Sequence, residues 1–183
     1  MRLPNLVTLS IGALLVASLS GCVTDELAPP QPTATFVAPY ASDEEALAAA
    51  EEAYEEYLRV SDTILNEGGV SAERILEVTS GEFADISVEG FEAIAAEGRR
   101  SVGNAKFDSM SLQRYSVSGG NKEIISVYLC HDVTDVDLLD SAGTSLVPPD
   151  RRDRVRFEAS FDFDVERQHL VISHRAVWTD PDC

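Results

Sequence analysis

The sequence predicts an α+β domain in which helices come first and an antiparallel sheet follows. Apolar residues recur every three or four positions up to Gly98, which is the period of amphipathic helices. From Phe107 onwards they alternate with polar residues, which is the period of strands. Length agrees with this prediction, because residues 42–183 are enough chain for one domain with a sizeable core.

The first helix is predicted from a start signal, a buried stripe and a stop signal. Ser42 followed three residues later by Glu45 is a capping-box pattern, and Gly68-Gly69 ends the helix. The glutamates between the apolar positions are expected on a solvated face rather than in a cation-binding strip. The predicted stripe comprises Leu47, Ala50, Tyr54, Tyr57, Leu58, Ser61, Ile64 and Leu65.

Two shorter helices are predicted next. The first covers Ser71 to Val78, and the second opens at Thr79, with Glu82 three residues later, and ends near Gly98. The inward positions expected for the second are Phe83, Ile86, Phe91 and Ile94.

Four long strands and one short hairpin complete the domain. Strict alternation in the first strand places Met110 and Leu112 on the face opposite Phe107 and Tyr115. Asp140 to Gly143 is the turn of the short hairpin, whose arms are 136–139 and 144–147. The long strands are predicted at 107–115, which ends in the turn Gly119-Gly120-Asn121, and at 122–134, 154–165 and 169–178.

Residues 1–21 have the composition of an export signal. Arg2 is their only charge, and the apolar run Leu6–Leu19 is too short to cross a bilayer comfortably but has the length of a signal-peptide core. The run closes with Leu19-Ser20-Gly21-Cys22, which resembles the lipobox of bacterial lipoproteins. The resemblance implies cleavage before Cys22 and lipid on its sulfur, which anchors the chain at the extracytoplasmic face of the cell membrane. The alternative is an ordinary secretory signal with an incidental cysteine.

Residues 22–41 are predicted to form a tether, because four prolines in this stretch favour extended backbone. The whole chain has 14 basic and 32 acidic residues, and loss of 1–21 removes only Arg2, so the mature net charge is −19. Such acidity excludes nucleic-acid binding and disfavours membrane binding through a basic patch. Lipid on Cys22 therefore remains the expected membrane link.

The order of elements, ending in the strand Ile172–Trp178, resembles the cone-shaped fold of the nuclear transport factor 2-like (NTF2-like) and SnoaL-like superfamily. More narrowly, Tyr128-Leu129-Cys130, Asp132, the 140–143 hairpin, the Pro148–Arg151 segment and Cys183 are similar to small exported or lipidated actinobacterial proteins of that superfamily. The resemblance implies three helices packed on a curved sheet over 42–183, a pocket at the mouth of the cone, and sheet-to-sheet dimers. It leaves activity open, because this fold hosts isomerases, dehydratases, assembly domains and adaptors. The export signal excludes nuclear transport.

With Cys22 used for lipid, Cys130 and Cys183 remain as an even number in an oxidising compartment. We expect them to form a disulfide, and the alternative is two free thiols.

No catalytic constellation can be assigned from the residues. His174 beside Tyr128 or Asp132 is the weak acid/base candidate, since alternation places His174 on one face of the last strand with Leu170, Ile172, Ala176 and Trp178. His169 and His174 differ by an odd number of residues, so a shared metal is not expected, and neither is one at His131. The acidic series Asp132, Asp135, Asp137 and Asp140 lacks the glycine and terminal glutamate of an EF-hand loop.

One basic island, Arg151, Arg152, Arg154 and Arg156, is expected to pair with the domain's own carboxylates rather than to bind an anionic partner. No cofactor is implied. The favoured hypothesis is a non-enzymatic module that binds a small apolar ligand or an envelope protein. The alternatives are an isomerase- or dehydratase-type enzyme and a structural accessory of an envelope complex.

Overall fold

A computed structural model describes residues 39–116, 123–179 and 182–183. The signal segment, the tether up to residue 38 and the turn predicted at Gly119-Gly120-Asn121 lie outside the described residues. Across the described part of the chain, none of the helices has the length and apolar character needed to cross a membrane.

The fold is α+β with a mostly antiparallel sheet. Two α-helices, α1 (Asp43–Asn66) and α2 (Gly81–Ala96), flank a 3-10 helix at Ala72–Glu77. The strands are β1 (Arg100–Val102), β2 (Lys106–Tyr115), β3 (Glu123–Asp132), β4 (Asp137–Leu139), β5 (Arg154–Asp164) and β6 (His169–Val177).

Helix α1 follows its sequence signals closely. The Ser42 hydroxyl accepts a hydrogen bond from the Glu45 backbone N–H at 3.3 Å, and the Glu45 carboxylate accepts one from the Ala41 N–H at 2.7 Å. The second bond reaches one residue further back than the usual capping box. The predicted stripe is the buried face: Ala50, Tyr54, Tyr57, Leu58, Ser61 and Ile64 are buried.

Two expectations for the following helices are wrong in detail. The N-cap of α2 is Ser80 rather than Thr79, because the Thr79 hydroxyl donates to the Ile75 carbonyl at 2.8 Å and its backbone bridges to Ile172 of β6. Ile86 is 56% exposed, since α2 buries the face of Ala84 and Phe91 instead. The segment predicted as a helix at 71–78 is a 3-10 turn of six residues.

The main sheet has the order β2-β3-β5-β6 with every neighbouring pair antiparallel, and β1 pairs with β4 in a separate two-stranded ribbon. Alternation predicts most of the register, and four irregularities interrupt it within the described residues. In β2, shifts around Ser109 and Gln113 bring Met110 and Leu112 to the core side together with Phe107 and Tyr115, so the prediction of opposite faces is wrong.

The irregularity in β6 has the larger consequence. Ile172 pairs with Phe161 and His174 pairs with Ser160, so Ser173 is an extra residue. Phe161 and Ser160 are consecutive on β5 and point to opposite faces. Ile172 therefore lies on the core face, which packs against α1, and His174 lies on the outer face.

The core lies between the sheet and α1. Its largest fully buried side chains include Tyr54 and Ile64 from α1, Leu129 from β3, Phe161 from β5 and Ile172 from β6. The helices thus cover one face of the sheet, and the outer face carries more polar groups.

The expected disulfide is confirmed. Cys130 of β3 and Cys183 are bonded with their Cα atoms 5.9 Å apart and 53 positions apart in sequence. The bond attaches the C-terminal residue to the outer face of the sheet.

Candidate functional site

The structure does not gather the weak acid/base candidates into one site. His174 is exposed on β6, and Tyr128 lies two strands away and two residues further along, roughly 12 Å by sheet spacing. The Tyr128 hydroxyl bonds the Gln113 side chain, and its ring packs on Trp178 with centroids 4.6 Å apart. Asp132 accepts a hydrogen bond from the Thr134 N–H at 2.8 Å, and bonding to Thr134 holds the pKa of this carboxyl below its ordinary value.

The three histidines occupy separate places. His169 bonds the Glu77 carbonyl at 3.2 Å and lines a groove beside α1, whereas His174 lies on the outer face. The two pair with residues four positions apart on β5 and so stand roughly 13 Å from each other. His131 faces α1. Within the ranges 39–116, 123–179 and 182–183, no three metal-ligating side chains cluster.

Three arginines of the basic island form ion pairs with carboxylates of the domain. Arg151 bonds Asp153 at 2.6 Å, Arg152 bonds Asp182 at 3.1 Å, and Arg154 bonds Asp108 at 2.8 Å. These pairs support the structural interpretation of the island.

A cluster of aromatic rings around one guanidinium lies beneath the sheet. We call it the Arg175 cluster, and it comprises Tyr54, Tyr57, His131, Phe157 and Arg175. The Arg175 Cζ is 3.9 Å from the centre of the Phe157 ring and 6.0 Å from that of Tyr57. The Tyr54 hydroxyl is 3.4 Å from His131 Nδ1. Each member comes from α1 or from a core-facing strand position, so the sheet register and the helix stripe together assemble the cluster.

The guanidinium of this cluster lacks a counter-charge. Among the described residues, Arg175 forms no ion pair with a carboxylate, and its Nε is shielded from solvent without a hydrogen-bond partner. Cation–π contact with Phe157 offsets part of the desolvation, by about 2 kcal/mol for a well-placed pair. Arg175 and Phe157 are half-buried, and Phe157 pairs with Val177, which is 58% exposed, so the cluster reaches the surface near the end of β6.

His131 and Tyr54 of the cluster are neutral around pH 7. Burial, and then the positive charge of Arg175, lowers the pKa of His131 to about 3. Burial raises the pKa of Tyr54 to about 12. Neither group exchanges a proton readily near neutrality, so His131 and Tyr54 are neutral hydrogen-bonding groups beside the fixed positive charge of Arg175.

A separate groove of about 510 Å³ opens between the second half of α1 and the start of β2. Its walls include Leu58, Ala105 and Phe107, and its polar groups include Asp62 and Asn66. We call it the Asp62 groove. Burial raises the pKa of Asp62 to about 6, although the carboxylate accepts a hydrogen bond from the Ala105 N–H at 3.0 Å.

Sequence reasoning did not identify Arg175 or Asp62 as site residues. Asp62 follows the buried Ser61 on α1, and Arg175 lies in a strand predicted from the alternation of side chains between its two faces. A charged residue beside a buried stripe is the available signal in both cases, but it does not reveal that the charge lacks a partner.

No protein-family model matches the chain, and no curated protein sequence matches it. Among solved structures, the chain is similar to the intermembrane space region of the chloroplast protein ARC6, at 13% identity and a TM-score of 0.52. The match covers 72% of this chain and 95% of the other. At this identity the likeness concerns the fold alone.

Proposed function

We propose that this chain is a lipid-anchored extracytoplasmic lipoprotein whose NTF2-like, cone-shaped domain binds a small ligand without catalysing a reaction. The lipobox-like run ending at Cys22 supports the anchor, and the Cys130–Cys183 disulfide agrees with an oxidising compartment. An α+β order with helices on one face of an antiparallel sheet is what a cone of this superfamily requires.

The observation that carries the binding proposal is that the Arg175 guanidinium has no anionic partner among the described residues. Removing a cation from water costs several kcal/mol unless an anion or good hydrogen bonds compensate it. Rings of Phe157 and Tyr57 surround Arg175, and no carboxylate of the described chain reaches it. A ligand with an apolar body and a carboxylate would supply the missing anion, because the rings can contact the body and the guanidinium can donate to the carboxylate.

Binding is favoured over catalysis because of the protonation states. Acid–base catalysis is most effective when a group's pKa lies near the working pH. The pKa values of His131 and Tyr54, about 3 and about 12, both lie far from neutrality. The isomerase- or dehydratase-type alternative would need a group such as Asp62, whose groove is a different site.

A titration of the full-length protein tests this proposal. Decanoate is the probe, with decanol and decylamine as its neutral and cationic counterparts, and calorimetry at pH 7.5 is the measurement. We expect decanoate alone to bind, and Arg175→Met to weaken that binding at least tenfold. Arg152→Met is the matched control because it removes an equal charge from an exposed pair with Asp182.

Equal affinity of decanoate for the wild-type and Arg175→Met proteins would refute the role of the guanidinium. Binding of decanol as tight as that of decanoate would show that only the apolar body matters. Urea unfolding of both variants establishes that the comparison is between folded proteins.

Partner binding is the second form of the proposal. The outer face presents the stacked Tyr128 and Trp178, and sheet-to-sheet dimers are what the NTF2-like resemblance implies. Sedimentation of the full-length protein in detergent would reveal such a homodimer, and pull-down after crosslinking would reveal an envelope protein.

A further inference from the structure

The Asp62 groove contains a second charge without a counter-ion, of opposite sign to Arg175. Asp62 Oδ2 accepts the Ala105 N–H, and this is the one hydrogen bond that the carboxylate makes within the described residues. No cation forms an ion pair with it there. Its second oxygen therefore has no protein donor within the described residues and can accept from water or from a ligand.

Asn66 provides another unused acceptor on the same side of α1. It follows Asp62 by four residues, which places the two side chains one above the other. The Asn66 amide nitrogen donates to the Gly103 carbonyl at 3.2 Å and to Asn104 Oδ1 at 3.3 Å. Its Oδ1 has no hydrogen-bond partner and no contact with solvent. An unsatisfied buried oxygen of this kind costs about 1–3 kcal/mol.

The two cationic side chains at the edge of the groove are already paired with carboxylates other than Asp62. Arg59 bonds Glu56 at 2.7 Å, and Lys106 bonds Asp135 at 2.5 Å. Glu55 adds a further negative charge to the wall. The charged groups that line the groove with Asp62 are thus Glu55 and Arg59 from α1 and Lys106 from β2, and none of them neutralises Asp62.

We infer that the Asp62 groove binds a small primary alkylamine as its ammonium ion. An ammonium group carries three donors and a positive charge. One donor reaches the free oxygen of Asp62, and the other two donors stay hydrated at the open side of the groove. The hydrocarbon part lies against Leu58, Ala105 and Phe107. The net charge of −19 for the mature chain raises the local concentration of such cations.

This site is independent of the Arg175 proposal, because its ligand has the opposite charge and its walls come from α1 and β2. Hexylamine is the probe, and hexanol and hexanoate are its neutral and anionic counterparts. Binding to the full-length protein is measured by calorimetry at pH 7.5 and pH 4.5. Asp62→Asn keeps an acceptor for the Ala105 N–H while removing the charge, and Asp85→Asn on the exposed side of α2 is the matched control.

We expect hexylamine to bind at pH 7.5 and to lose affinity at least tenfold in Asp62→Asn but not in Asp85→Asn. Protonation of Asp62, whose pKa is about 6, should weaken binding roughly 30-fold at pH 4.5. Hexylamine that binds Asp62→Asn as well as wild type, hexanol that binds equally well, or no binding at millimolar concentration would each overturn the inference.

Discussion

Replacing Asp62 with asparagine should stabilise the protein at neutral pH and leave its stability unchanged in acid. The wild-type carboxylate is partly removed from water without a counter-cation, and burial raises its pKa from 3.8 to about 6. Asparagine occupies the same volume and still offers an oxygen to the Ala105 N–H. The substitution therefore isolates the cost of the charge.

The magnitude follows from the shift of the pKa. A shift of about two units corresponds to roughly 3 kcal/mol, and because the carboxyl is only half-buried, solvent screening reduces this to about 1.5 kcal/mol. The folded-state pKa is raised, so the protonated acid favours the folded state. Its stabilising effect is complete below about pH 4 and is lost as the pH rises through about 6.

The assay is urea unfolding of the full-length chain, followed by circular dichroism, at intervals from pH 4 to pH 7.5. Asp62→Asn and wild type should coincide at pH 4 and diverge by about 1.5 kcal/mol at pH 7.5, or about 3–6 °C in Tm. Asp85→Asn should show no such divergence. The reasoning is refuted if Asp62→Asn is less stable than wild type at pH 7.5, or if the difference does not depend on pH.

Three further outcomes are expected. Reducing the Cys130–Cys183 bond should lower the free energy of unfolding by about 4 kcal/mol in the chain-entropy account, and an unchanged urea midpoint would contradict that. Gly69→Ala should destabilise the fold by at least 2 kcal/mol more than Gly143→Ala. Both glycines have positive φ, but a Cβ at Gly69 would lie 2.1 Å from the Phe91 carbonyl oxygen, whereas one at Gly143 meets nothing within 4 Å. Equal losses in the two variants would remove the steric explanation. Arg175→Met should raise the pKa of His131, measured by NMR titration, because one of the two causes of its depression is gone, and a pKa that stays near 3 would show that burial alone sets it.

Local signals predicted the secondary structure well wherever they act within a few residues. The Ser42 cap, the stripe through Tyr54 and the glycine stop define α1 because each depends on neighbours along one helix. The long strands fall within about two residues of their predicted ends for the same reason. Cysteine number and the lipobox-like run were sufficient to predict the disulfide, without any knowledge of the sheet.

Registers and partners were decided only by the tertiary structure. One extra residue at Ser173 reverses the side of β6 on which His174 lies, and no property of Ser173 itself signals this. The N-cap of α2 is Ser80 rather than Thr79, because the backbone of Thr79 bridges to Ile172 of β6.

The same division applies to the sites. The sequence by itself determined which residues carry charge and which face of each element is apolar. Whether Asp62 and Arg175 find a counter-ion depends on side chains that are distant in sequence, and electrostatic partnership is a property of three-dimensional distance and of access to water. Only the folded chain shows that these two charges are left without one.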